Sequence, residues 1–271
     1  PHMSVLGNVG YGLSISGLGK KEVLEKSMSM LDVVGLQGYE NRKPHELSGG
    51  QQQRVQLARA LVLDRDILLL DEPLAALDAQ LRKDMCLELK HLQEKVGITF
   101  IHVTHNQEEA MTVADRIALI ADGDLVEAGA AREIYCAPEK SFTASFVGEN
   151  NMLGGFVRKT NKATTEIGLG DETISTLTRN SIVKKGDNVS LSIRSELVKI
   201  EQSKGPKPKH SLDATYIESV YLGLTTTHLF ELGTGEKMMA RTIADSDERV
   251  LKAGEKVRLT WRDGDLRLHQ S

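Results

Sequence analysis

The sequence predicts an α/β fold built on a parallel sheet with helices, followed by a small all-β barrel domain. Three observations carry that expectation. Over residues 47–127, short apolar strands alternate with segments of helical periodicity, the pattern of a parallel sheet covered by helices. Two of those strands end in Asp71-Glu72 and in Thr104-His105, and the C-terminal ends of strands are where open α/β sheets bind ligands. After about Gly148 helical periodicity fades, and short β-rich runs separated by turn residues take over. The expected domains are therefore 1–148 and 149–271.

Each element has a local reason. Residues 20–36 read as a helix with Val23, Leu24, Met28, Leu31 and Val34 on one face, stopped near Gly35. Ser48 offers an N-cap for a second helix, whose apolar positions Val55, Ala58 and Leu61 run to about residue 63. The run Ile67-Leu68-Leu69-Leu70 is a buried strand by length and flanks. Asp78 caps a third helix, in which Leu81, Met85, Leu92 and Val96 recur at helical spacing. Residues 98–103 form a second strand, residues 106–114 are helical, and residues 116–127 form a hairpin turning at Asp122-Gly123. In the second half the strands include residues 189–193, 214–221, 225–232 and 257–261. Gly186-Asp187-Asn188, Gly233-Thr234-Gly235 and Asp263-Gly264 mark turns, and residues 204–209 form an exposed loop.

Composition narrows the function classes. A chain of 271 residues is long enough for about two domains. Its net charge of −4 argues against nucleic acid or an anionic membrane surface as a partner. No apolar run approaches the roughly 18 residues that span a bilayer, and residues 1–10 do not read as a signal peptide. Cys86 and Cys136 show neither metal-ligand spacing nor a disulfide framework, which fits a reducing, cytosolic setting.

The chemistry lies in two stretches, Leu47-Ser48-Gly49-Gly50-Gln51-Gln52-Gln53-Arg54 and Ile67-Leu68-Leu69-Leu70-Asp71-Glu72-Pro73. A helix start with free N–H groups and glycines attracts phosphate oxygens. Carboxylates at the end of a buried strand suit Mg²⁺ and a catalytic water. Singly, each part has a blander explanation: Ser48-Gly49-Gly50 as a capped turn, Asp71-Glu72-Pro73 as a helix start, Asp78 as an N-cap, His105 as a structural histidine. Their joint order and spacing outweigh those explanations.

Together these stretches resemble the signature sequence and Walker B strand of an ABC-type ATPase, so residues 1–148 look like the later part of such a domain, with a RecA-like P-loop NTPase core and a helical subdomain. The resemblance implies that Ser48, Gly49, Gly50 and Gln51 face the γ-phosphate of an ATP held mainly by a second copy of the subunit. It implies that Asp71 holds Mg²⁺ through water, that Glu72 polarises the attacking water, and that His105 is the switch histidine. Ala76-Leu77-Asp78 matches the D-loop that links the two ATP sites. Residues 149–271 resemble the OB-like TOBE domain of certain bacterial importers. Gly148-Glu149-Asn150-Asn151-Met152-Leu153-Gly154, Ser192-Ile193-Arg194-Ser195-Glu196 and Tyr221-Leu222-Gly223 carry that likeness, with Ser195 standing where a proline is common. Among such importers the polyamine (putrescine/spermidine) group looks nearest; iron(III), sulfate, phosphonate and sugar importers share the layout. The partners implied are membrane-spanning permease subunits, docked through the helical subdomain on the cytoplasmic face of the bacterial inner membrane.

One required part is not found. No Gly-x-x-x-x-Gly-Lys-Ser/Thr stretch occurs in the sequence; the nearest, Gly12-Leu13-Ser14-Ile15-Ser16-Gly17, is followed by Leu18 instead of lysine. The expectation is a chain that begins mid-domain and is inactive alone, with apolar sheet edges that invite pairing with another chain. A rival of another class is a small-ligand-binding regulatory module, in which the β half senses a small oxyanion and the ATPase part is vestigial. Nucleic acid is a poor fit there, because the half holds few aromatics for stacking and the chain is acidic overall.

Overall fold

In a computed structural model of the chain, the described residues are all except 76, 179–181, 204, 246–249 and 271. They divide into two compact units, residues 1–115 and 116–271.

The first unit opens with helices α1 (Val5–Ile15) and α2 (Lys20–Val33). Ser4 caps α1 through its side chain. Helix α1 approaches α2 so closely that a Cβ on Gly10 would lie 2.8 Å from Val23 Cγ1 and 2.9 Å from Ser27 Oγ. That contact turns α2 so that Ser27 and Leu31 are buried, while Leu24 and Met28, expected on the inner face, are exposed. Helix α3 (Gly49–Leu61) then serves two cores. Val55 and Ala58 join Val5, Val9 and Leu31, whereas Leu57 and Leu61 join Leu68, Leu74, Met85 and Leu89.

Strand β1 (Ile67–Asp71), helix α4 (Ala79–Val96), strand β2 (Thr99–Val103) and helix α5 (Gln107–Val113) complete the unit. The strands pair in parallel, with Asp71 opposite Val103. Helices cover only one face of this pair. Its other face, with Ile67, Leu69, Ile101 and Val103, is exposed. Alternation along each strand produces this, because successive side chains point to opposite faces.

The second unit begins with the hairpin β3 (Arg116–Ala121) and β4 (Asp124–Ala130), whose turn holds Asp122 and Gly123 at positive φ, as a two-residue turn of this kind requires. Short helices α6 (Ala131–Cys136) and α7 (Ser141–Phe146) follow. The rest is β5 (Asn150–Thr160), β6 (Thr164–Leu169), β7 (Glu172–Leu177), β8 (Asn188–Arg194), β9 (Lys199–Gln202), β10 (Ser211–Tyr221), β11 (Thr225–Leu232), β12 (Lys237–Ile243), β13 (Lys256–Thr260) and β14 (Arg267–Gln270). The residue that opens the expected loop at 204–209, Lys204, lies outside the described residues.

These strands form two antiparallel five-stranded sheets, ordered β12-β11-β10-β13-β9 and β14-β8-β5-β6-β7, around one apolar core that includes Leu191, Phe230 and Leu259. The half is all-β, as expected of a small OB-like barrel domain, and its strands lie in two sheets. Where β5 meets β12, a side chain takes the place of a ladder. Asn151 Nδ2 donates to Met239 O at 2.8 Å, and Met239 N donates to Asn151 Oδ1 at 2.6 Å. The hairpin and the two short helices fall in this second unit by compactness.

Candidate functional site

The start of α3 is shaped by its own sequence. Ser48 is the N-cap, with extended backbone, and its hydroxyl accepts from Gln51 N at 3.4 Å. Gln51 Oε1 in return accepts from Ser48 N at 3.0 Å, a reciprocal capping box. Gln51 is thus folded back on the helix start, while Ser48 and Gly49 are exposed and Gly50 is buried. A Cβ on Gly50 would reach Leu81 Cδ1 and Met85 Sδ at 3.4 Å, so α3 begins pressed against α4. The N–H groups of this first turn have no intrahelical partners by geometry, which makes it electropositive.

Strand β1 carries Asp71 and Glu72 to its C-terminal end. Glu72 sits at φ +43, unusual for a residue with a side chain. The turn is fixed by Glu72 N donating to Val103 O at 2.9 Å. This backbone points the Glu72 carboxylate at the end of β2, where His105 Nδ1 lies 3.0 Å from Glu72 Oε1. Both side chains are open to solvent. The carboxylate and the imidazole expected from sequence therefore meet, with Asp71 adjacent in the chain.

Asp78 is the N-cap of α4 and accepts from Gln80 N at 3.1 Å and Leu81 N at 3.0 Å. Its carboxylate is thereby committed to the helix, as its bland reading required. Ala76, the first residue of the Ala76-Leu77-Asp78 stretch, lies outside the described residues. The structure thus brings Glu72 and His105 together. It places Ser48, Gly49, Gly50 and Gln51 separately at the start of α3, with Gly50 against Leu81 and Met85 of α4.

Sequence reasoning missed the layer behind the pair. A small cleft lined by Glu72, Ala75, Arg82, Thr104, His105, Asn106 and Glu109 lies beside it. Glu109 is buried, and Thr104 Oγ1 donates to its Oε2 at 2.6 Å. His102 lies against the same carboxylate, and burial pushes its imidazole below the ordinary value, with the Glu109 charge opposing that shift. The one signal in the sequence was a second glutamate in the first turn of α5, which reads as ordinary helix-dipole complementarity.

As for a metal, Asp71 and Glu72 offer hard carboxylate oxygens. Among the described residues no group of three or more His, Cys, Asp or Glu is placed to hold a metal ion by itself. That donor set suits Mg²⁺, which takes one or two carboxylates together with substrate phosphates instead of an all-protein cage.

Residues 1–75 match the family model described as ABC transporter, and residues 191–268 match the TOBE domain. The spermidine/putrescine import ATP-binding protein PotA of Marinobacter nauticus is 39% identical over 97% of this chain and 71% of its own length. PotA proteins of Roseobacter denitrificans and Rubrobacter xylanophilus are 43% and 40% identical, over 89% and 96% of this chain and 66% and 69% of their own lengths. Among solved structures, cbiO1 of Clostridium perfringens, part of the ABC transporter complex cbiONQ, is 29% identical over 48% of this chain and 52% of that chain, with a TM-score of 0.45.

Proposed function

Since the chain belongs to the family of ABC importer ATP-binding proteins that carry a TOBE domain, we propose that it supplies the signature, carboxylate and switch parts of an ATP-hydrolysing subunit that powers solute uptake. The observation that carries this reading is the Glu72–His105 contact of 3.0 Å at the end of the parallel strand pair, beside Asp71.

In this reading Asp71 would hold Mg²⁺, and Glu72 would orient and polarise the attacking water. His105 holds Glu72 and reaches the γ-phosphate. Mg²⁺, held with ATP beside Asp71, would offset the charge of the phosphates. Gly49 and Gly50 offer N–H groups and close approach, and Ser48 its hydroxyl, to the γ-phosphate of an ATP held by a second copy. Gln51 and Asp78 act there by building the two helix starts that present those groups. Phosphoryl transfer asks mainly for positioning and charge stabilisation, which is what a fixed carboxylate, an imidazole and a helix start supply.

The solute follows from the relatives, whose names specify spermidine and putrescine; a polyamine is the substrate class proposed for the importer. The exposed Leu24 and Met28 on α2 are a suitable contact for a permease subunit. No helix among the described residues is long and apolar enough to cross a membrane, and a peripheral position on the cytoplasmic face of the inner membrane fits the role. Residues 116–148 are taken as part of the ATPase half and residues 149–271 as a regulatory or dimer-stabilising domain.

The 271 residues hold no phosphate-cradling Gly-x-x-x-x-Gly-Lys-Ser/Thr stretch. Alone, the chain is expected neither to bind ATP tightly nor to hydrolyse it. The test is a chain in which the phosphate-loop segment of a PotA relative precedes residue 1. It should hydrolyse Mg-ATP, and Glu72→Gln should lower its turnover by about 10²–10⁴-fold, the range for losing a positioned general base. Turnover indifferent to Glu72→Gln would overturn the reading.

A further inference from the structure

Glu109 is a buried carboxylate, 4% exposed, in the first turn of α5. It gathers three elements. Thr104, at the end of β2, donates its hydroxyl to Glu109 Oε2 at 2.6 Å. Arg82 of α4 brings Nε to 3.5 Å from Oε1, and its Nη2 donates to Leu77 O at 2.8 Å. His102 of β2 is 3.8 Å from Oε2. Thr104 Oγ1 also accepts from Asn106 N at 3.0 Å, and Asn106 Oδ1 accepts from Glu108 N and Glu109 N. His105 thus sits between two residues that are both tied to the Glu109 carboxylate or its helix start.

Burying a charge costs several kcal/mol unless it is paired and hydrogen-bonded. Holding α5 against α4 would need only an apolar side chain at this position. A carboxylate aimed at the residue preceding His105 does something an apolar side chain cannot. Its Thr104 bond sets the direction in which the chain leaves β2, and its Arg82 pair ties that exit to the Leu77 carbonyl before α4.

We propose that Glu109 is a positioning residue: through Thr104 it holds His105 against Glu72, and through Arg82 it couples that pair to the Leu77-Asp78 turn. The proposal rests on the reading of Glu72 and His105 as the reaction centre. It assigns to Glu109 no contact with nucleotide or reacting atoms. His102, kept neutral by burial, leaves Arg82 as the formal charge partner of the carboxylate.

The test uses the 271-residue chain without nucleotide, ¹⁵N-labelled throughout. The ring signals of His105 are assigned by their loss in His105→Gln, and Glu72→Gln supplies the reference for a broken contact. Thr104→Val removes the hydroxyl at nearly constant shape; Glu109→Ala removes the carboxylate. Both should move the His105 ring signals toward those of Glu72→Gln, and both should shift the Leu77 amide. Glu109→Gln, still able to accept from Thr104, should keep the ring signals near those of the unsubstituted chain. His105 signals unchanged in Thr104→Val and Glu109→Ala, with only the melting temperature lowered, would make Glu109 an anchor of α5 and overturn the proposal. Should Glu109→Ala not fold, Thr104→Val decides alone. Because no nucleotide enters the readout, a failure here is separate from a failure of the ATPase reading, which turns on Glu72→Gln in the fused chain.

Discussion

Asn151 shows how one side chain can stand in for a stretch of sheet. Its amide has a donor and an acceptor with the spacing of a peptide group, and both are used on Met239 of β12. The neighbouring residues work at the same junction. Asn150 Nδ2 donates to Ala144 O at 2.8 Å at the end of α7, and Glu149 pairs with Arg241. Gly148, at φ +68, has no room for a side chain, since a Cβ would lie 2.6 Å from Arg194 Nη1. The Gly148-Glu149-Asn150-Asn151 motif is therefore explained by what it holds together, with no ligand needed. Asn151→Ala would remove two hydrogen bonds and leave Met239 N–H and C=O without that partner. At about 0.5–1.5 kcal/mol per lost bond plus the cost of an unpaired group, the loss should be about 2–4 kcal/mol. Urea unfolding followed by the Trp261 emission in the second unit would read it, and a midpoint within error of the unsubstituted chain would contradict this account.

Among the elements, strand β14 depends on a histidine that must stay neutral. His269 is buried, with Nε2 2.8 Å from Ser192 Oγ on β8 and Nδ1 3.2 Å from the Glu139 carbonyl between α6 and α7. A carbonyl can only accept, so Nδ1 carries the proton and Nε2 accepts from Ser192. Burial pushes this imidazole below its ordinary value, with Arg267 acting the same way and the Glu139 bond and Glu127 opposing. The unfolded chain then binds the proton at a higher pH than the folded one. The stability contributed by keeping His269 neutral is complete above about pH 6.5, the unfolded value, and falls as the pH drops toward the folded value. His102 in the first unit shifts in the same direction, so His269→Gln isolates the β14 contribution. The variant should flatten the pH dependence of the second unit's melting temperature between pH 7 and 5, and an unchanged slope would count against it.

The same elements show what a sequence discloses. Residues 225–232 were read as a strand with the bounds β11 has, and the Ser48 and Asp78 caps place the starts of α3 and α4. Those signals are local, set by cap chemistry and alternation. The inward face of α2 was not legible, because Gly10 of another helix turns it. Nor was the split of the β half into two sheets, where Asn151 reaches a residue 88 positions away. At the candidate site Glu72 and His105 were legible from strand ends, whereas Glu109 was hidden because burial alone separates it from Glu108.

At the scale of the whole molecule, the uncovered face of the β1–β2 pair has the largest physical consequence. Parallel sheets are ordinarily covered on both faces, and two strands by themselves are marginal. Here Ile67 is 56%, Leu69 71%, Ile101 47% and Val103 55% exposed, side by side across one parallel register. Such contiguous apolar surface is favourable to bury, at roughly 25 cal/mol per Å² removed from water, and the unpaired outer edges of both strands offer backbone groups for further pairing. The purified 271-residue chain should therefore self-associate as its concentration rises through the micromolar range. Leu69→Lys, which places a charge on the exposed face without touching the core beneath, should shift it toward monomer while leaving its circular dichroism unchanged. Sedimentation velocity over a hundredfold concentration range separates the outcomes. A chain that stays monomeric throughout would mean that this face tolerates water, and that the apolar alternation of β1 and β2 demands no cover.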